Sequence, residues 1–166
     1  MSAISHHVID LDRAHIAEAA NVLSRAFAAD PLMRYLFAER GRDYRSCLRA
    51  IFQYQCALQL ELQWPLLAFI PRTRIAGVVG IGLPEQPTWP KSVAELQTAL
   101  TNQMGSQALE RLDRYAARTN GHFPDEPLFY VRMIGVRPES QGQGYARLLL
   151  EAVHRRSEAH PRSTSG

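Results

Sequence analysis

The stretch Tyr130-Val-Arg-Met-Ile-Gly-Val-Arg-Pro138, followed by Glu139-Ser-Gln-Gly-Gln-Gly-Tyr-Ala146 and Arg147-Leu-Leu-Leu-Glu-Ala-Val153, decides how this chain is read. Leu128 to Val136 is its most β-like segment, and Arg137-Pro138 stops the strand. Gln143 to His160 then reads as a helix, with Ala146, Leu149, Leu150 and Val153 expected to face the core. A strand therefore feeds a Gly-rich loop at a helix start. The first turn of a helix has unpaired N–H groups and a positive dipole end, so this arrangement favours a phosphate or pyrophosphate. Gly142 and Gly144 would let the backbone come close to such a group, although two glycines also suit a plain tight turn. The GxxxxGK[ST] phosphate loop is absent, and Arg147 stands where GxGxxG would need its third glycine.

Working outward, His7 to Leu11 alternates as a short strand, and Ile16, Ala20, Leu23 and Phe27 recur at helical spacing until Asp30-Pro31 interrupts them. A second helix is expected over Asp43–Leu62, with Leu48, Ile51, Phe52, Gln55 and Leu58 on one face, and Pro65 ends it. Leu66–Pro71 and Arg74–Leu83 read as a β-hairpin linked through Arg72-Thr73. Ser92 is a candidate N-cap for a helix through Met104. Gly105 breaks that helix before another from about Gln107 to Ala117. Thr119–Pro127 reads as a loop, and the tail from Pro161 as frayed. The order of strands and helices argues for a single α/β (α+β) domain over residues 1–166.

The chain has 166 residues, 46% of them apolar and 21% charged, which suits one domain with its own core. No apolar run reaches membrane-spanning length and no signal peptide opens the chain, so a cytoplasmic protein without a membrane partner is expected. The net charge of +3 comes from arginines interleaved with acids, with Lys91 the only lysine. That is a mixed surface rather than a nucleic-acid stripe, so no nucleic-acid partner is expected. Cys47 and Cys56 fall nine residues apart on one expected helix, about 13 Å apart at 1.5 Å per residue, too far to pair. No Cys/His spacing suggests a metal.

The run Gln141-Gly-Gln-Gly144-Tyr-Ala146 resembles the acetyl-CoA signature [QR]-x-x-G-x-[GA] of the GNAT superfamily of N-acetyltransferases. The strand ending Ile134-Gly-Val-x-Pro138 and the Leu-rich helix after it resemble that family's fourth strand and third helix. Ala20-Asn-Val-Leu-Ser-Arg-Ala-Phe27 and Asp30-Pro-Leu-Met-Arg-Tyr-Leu-Phe37 look like its first helix and acceptor-side segment. The resemblance implies a mixed, mostly antiparallel central sheet flanked by helices. It implies acetyl-CoA as cosubstrate, with the pyrophosphate cradled by Gln141, Gly142, Gln143, Gly144, Tyr145 and Ala146. The pantetheine arm would pair with the backbone of Ile134, Gly135 and Val136. The implied reaction is transfer of an acetyl group to a primary amine, of a small molecule or a peptide, by direct attack.

The resemblance also marks departures. GNAT domains continue into a fifth strand, a further helix and a final hairpin, whereas six residues follow His160 here, so the domain is expected to be incomplete at its C-terminus and to lack the last strands. Leu128–Val136 then becomes an edge strand open to self-association as a homo-oligomer. Many relatives place a general-base carboxylate eleven residues before the motif Gln, where this chain has Tyr130, a weak candidate for an acceptor-side role. Glu85, Asp125 and Glu126 are loop carboxylates, and Tyr35, Phe37, Trp64 and Trp89 are aromatics that either line an acceptor pocket or fill core. The alternative function is a catalytically impaired remnant that binds CoA or another protein.

Overall fold

The structure is a computed structural model that describes residues 7–38, 40–85, 88–119 and 128–160. Four strands form one antiparallel sheet in the order of the chain: β1 (Val8–Asp10), β2 (Leu66–Phe69), β3 (Gly77–Gly82) and β4 (Tyr130–Val136). Helices α1 (Ile16–Ala26), α2 (Pro31–Leu36) and α3 (Tyr44–Glu61) lie between β1 and β2. Helices α4 (Lys91–Met104) and α5 (Ser106–Thr119) lie between β3 and β4, and α6 (Tyr145–Ala159) follows β4.

Both faces of the sheet are covered, which explains why β2 and β3 read as continuous apolar runs rather than alternating ones. Leu66, Ala68 and Val78 pack with Ala19, Leu23, Leu48, Ile51 and Phe52 of α1 and α3. The opposite residues, Leu67, Phe69, Val79 and Ile81, pack with Leu149, Ala152 and Val153 of α6. Of the positions on α6 expected to face the core, Leu149 and Val153 do, whereas Ala146 and Leu150 are exposed. Three leucines in succession step 100° around a helix, so they cannot share one face.

Other boundaries shift for local reasons. Asp30-Pro31 does not merely end α1; it starts α2. The Asp30 carboxylate accepts from the N–H of Leu32 (2.9 Å) and Met33 (3.2 Å), and Pro31 takes the first helical position. Ser92 is not the cap of α4, because Pro90 holds that place; the Ser92 hydroxyl instead donates to Glu61 Oε2 at 2.7 Å. Helix α6 starts at Tyr145 rather than Gln143, which leaves the Gly-rich segment free as a loop. The hairpin turn is wider than Arg72-Thr73, running from Ile70 to Ala76 between the paired strands. Glu18 accepts from the Ile75 N–H (2.8 Å), and the buried Arg137 donates to the Ile75 carbonyl (2.5 Å), so this turn is tied to α1 and to the end of β4. The expected loop after Thr119 lies at 120–127, and the frayed tail at 161–166; both fall outside the described residues.

Candidate functional site

The turn between β4 and α6 begins with a 3-10 turn at Pro138–Ser140 and passes through Gly142 (φ 80°) to Gly144 (φ 83°, ψ 13°). Both glycines are left-handed, where a Cβ crowds the backbone. Gly144 occupies the N-cap position of α6, and no side chain among the described residues caps that end. The first-turn N–H groups are thus left without an intrahelical acceptor at the positive end of a 15-residue helix. Uncapped, they are suited to an anion.

These groups open into a cavity of ≈ 330 Å³. Its floor and walls combine the loop (Ser140, Gln141, Gly142, Gly144, Tyr145, Ala146) with β4 (Ile134, Gly135, Val136) and the end of α1 (Ala26, Phe27). Of the nine positions expected to meet the cofactor, eight surround this one cavity. Gln143 lies instead on the adjoining cleft with Arg72, Arg74 and Arg137. Tyr145 stacks on Phe69 at 4.5 Å between ring centroids, which anchors the start of α6 to β2.

β4 pairs with β3 along one edge, and among the described residues nothing pairs with the other. Which peptide groups face that open edge follows from one bond. Arg137 N–H donates to the Ala76 carbonyl at 2.8 Å, so the alternation of an antiparallel ladder turns Gly135 toward β3, and Ile134 and Val136 toward the cavity. Gln141 Nε2 donates to the Val136 carbonyl (3.1 Å) from the open side, as this alternation requires. The motif Gln thus pins the loop to the strand, leaving the Val136 N–H and both groups of Ile134 facing out. Gly135 takes a different place from its neighbours. Its bare Cα faces α1, where an added Cβ would lie 3.0 Å from Ala26 Cβ and 3.1 Å from Leu23 Cδ2.

The loop is also held from α1. Arg25 donates to both oxygens of Glu139 (2.8 Å each), and these bonds hold the Glu139 carboxyl down at about 2. Neither residue stands out in the sequence, because the pair joins positions 114 apart.

The remaining candidates are dispersed. The Tyr130 ring lies over Gly82 on β3 and edge-on to Trp64 at 6.5 Å, in packing that fills the space beside a strand glycine. Glu85 is bound to His160 at 2.6 Å, and that bond holds its carboxyl below the usual range. Asp125 and Glu126 lie outside the described residues. Phe37 is core, Tyr35 sits beneath Arg111, and Trp89 is exposed. Cys47 and Cys56 are both free and buried in α3, and burial pushes the Cys56 thiol up to about 12. Among the described residues no group of His, Cys, Asp and Glu is placed to hold a metal, and no helix is long and apolar enough to cross a membrane.

One network was not anticipated. Arg132 is an extra residue on β4, where the register skips from Gly80↔Met133 to Ile81↔Val131. Such a bulge re-aims a side chain. Arg132 turns onto α3, donating to Gln59 Oε1 (2.5 Å) and Gln55 Oε1 (2.9 Å). An arginine inside an otherwise apolar strand was the available signal.

No protein-family model matches the chain, and no curated protein matches it in sequence. Among solved structures, it resembles one described as histone acetyltransferase HPA2 and related acetyltransferase from Corynebacterium glutamicum, with a TM-score of 0.66 at 21% identity. The likeness covers 92% of this chain and 71% of that one. With an antiparallel sheet covered on both faces, a Gly-rich turn into α6 and this match in shape, the chain has a GNAT-like fold.

Proposed function

We propose that the protein is an acetyl-CoA-dependent N-acyltransferase acting on a primary amine. The observation that carries this is the uncapped N-terminus of α6 opening, through left-handed glycines, onto a cavity whose other wall is the open edge of β4. A pyrophosphate on the α6 first turn would be met by N–H donors and the helix dipole. An extended amide-bearing arm would then run beside Val136 and Ile134 as a neighbouring strand does, toward the N-terminal half of β4. The chemistry asks little of side chains: the neutral amine attacks the thioester carbon directly, the C–S bond breaks, the proton shed by the nitrogen goes to the departing thiolate, and backbone donors of β4 stabilise charge on the carbonyl oxygen. Calorimetric titration with acetyl-CoA and CoA release across a panel of amines test the reading. Binding together with amine-dependent release is expected; binding of neither acetyl-CoA nor CoA by the folded chain would refute it.

A second reading is favoured by the same open edge, beside which Leu128, Tyr130 and Val131 are exposed. In it the chain binds CoA or associates through β4 without turning over. Molar mass in solution separates the two, because a monomer with full turnover excludes this reading.

A further inference from the structure

Arg132 combines half-burial with neutral partners. Its guanidinium lies half-buried against α3, 5.5 Å above the Trp64 ring, and its two hydrogen-bond acceptors are neutral amides. Burial holds its pKa below the ordinary arginine value, with the Tyr130 and Tyr54 hydroxyls close enough to act on it, yet an arginine remains a cation. Among the described residues no carboxylate pairs with it. Arg137, the most buried arginine among the described residues, has Glu18 at 3.6 Å, and Arg13, Arg25 and Arg156 all have acids within 2.8 Å. The carboxylates at the end of α3 and after β3 are already engaged, Glu61 by Arg13 and Glu85 by His160.

The position of this cation is fixed rather than incidental. Gln59 is fully buried, and its Nε2 donates to the carbonyls of Pro65 (2.8 Å) and Ile81 (2.6 Å). That spends both N–H groups and leaves Oε1 able only to accept, which turns it to Arg132. Gln55 repeats the contact one helical turn earlier, and Trp64 supports the face of the fork. Half-burying a charge without an opposite charge is unfavourable, and a fork held on two amides retains unused N–H donors.

On the acyl-transfer reading, the reacting end of the cofactor arm would lie toward Arg132. Four residues of strand separate it from Val136, about 13 Å at 3.3 Å per residue, on the side toward which an arm rooted at the α6 N-terminus would extend. We propose that Arg132 is the specificity-determining residue for the acceptor, and that the acceptor is an amine carrying a carboxylate, as an α-amino acid does. This rests on the acyl-transfer reading above. A planar guanidinium meets a carboxylate through paired N–H···O bonds and repels polycationic amines.

The test compares glycine, L-leucine, L-phenylalanine and L-glutamine with their carboxamides as acceptors, in wild type, Arg132→Gln and Arg132→Lys. Wild type is expected to favour the acids at least ten-fold in kcat/KM. The acid-to-amide ratio, taken per neutral amine, should fall to about one in Arg132→Gln and lie between in Arg132→Lys. Amides used as well as acids by wild type would overturn the proposal, as would an acid preference that survives Arg132→Gln. Circular dichroism checks that each variant folds, and if Arg132→Gln does not, the acid-to-amide ratio of Arg132→Lys against wild type decides: an unchanged ratio overturns the proposal. If no amine supports CoA release, the transfer reading fails by itself. Calorimetry with N-acetyl-L-phenylalanine against N-acetyl-L-phenylalaninamide, with CoA present, then decides Arg132: a preference for the acid that Arg132→Gln abolishes upholds it, and equal binding overturns it.

Discussion

Replacing Gly144 by alanine separates backbone strain from ligand binding, because the structure supplies a matched control. Gly144 has φ 83° and Gly41 has φ 50°, and a Cβ added at either meets no atom within 4 Å. Each substitution therefore carries the left-handed penalty of about 1–2 kcal/mol and no clash. For a chain of this size that lowers Tm by roughly 2–8 °C in both variants. Their effects on acetyl-CoA diverge. Gly144 caps α6 and lines the cavity, whereas Gly41 opens the 3-10 turn before α3, remote from it. Losing one hydrogen bond to a charged phosphate costs about 1.5–3 kcal/mol, so Gly144→Ala should weaken acetyl-CoA roughly 10- to 150-fold while Gly41→Ala leaves Kd within about two-fold. Differential scanning fluorimetry reads the first quantity and isothermal calorimetry the second. Unchanged affinity in Gly144→Ala, or equal losses in both variants, would refute the assignment of the loop.

Glu139 is ionised down to about 2 in the folded chain against roughly 4.3 in an unfolded one, so its pairing with Arg25 contributes fully above about pH 4.5 and is lost as pH falls through 2. Thermal melts should show Glu139→Gln less stable than wild type at pH 7, with the gap closing across that window; a constant gap would contradict the pairing. Leu149 is fully buried between α6 and the sheet, so Leu149→Ala should cost about 2–5 kcal/mol in urea unfolding, whereas Leu150→Ala should stay within about 0.5 kcal/mol. With the Cys56 thiol pushed up to about 12 by burial, iodoacetamide at pH 8 should leave Cys56 unmodified in the native protein and alkylate it in urea, as peptide mass spectrometry would show.

The β4–loop–α6 unit is legible because its signals are local: a β-branched run, a proline stop, two glycines and a helical period lie within about thirty residues. What the sequence does not disclose is set at a distance. The partners of Arg132 lie 73 and 77 residues away, and that of Glu139 lies 114 away, so none leaves a spacing to recognise. Asp30-Pro31 carries two meanings, since a proline that ends one helix also opens the next. Among Leu148, Leu149 and Leu150, composition cannot say which meets the sheet. That choice belongs to Phe69, Val79 and Ile81, whose positions come from strand pairing. Gln59 carries no mark in the sequence, and only the carbonyls of Pro65 and Ile81 show why the core holds an amide there.

Gly135 has a consequence for the shape of the cavity. Because it presents no side chain, α1 rests directly on β4, and Ala26 and Phe27 become the opposing wall. The slot's width is gauged by the thickness of the seam between Gly135 and α1. A single methyl group at 135 would act as a shim, lifting the end of α1 and pulling on the Arg25–Glu139 clamp beside the loop. The bore of this site is therefore set at the α1–β4 seam, by residues that let two backbones lie close.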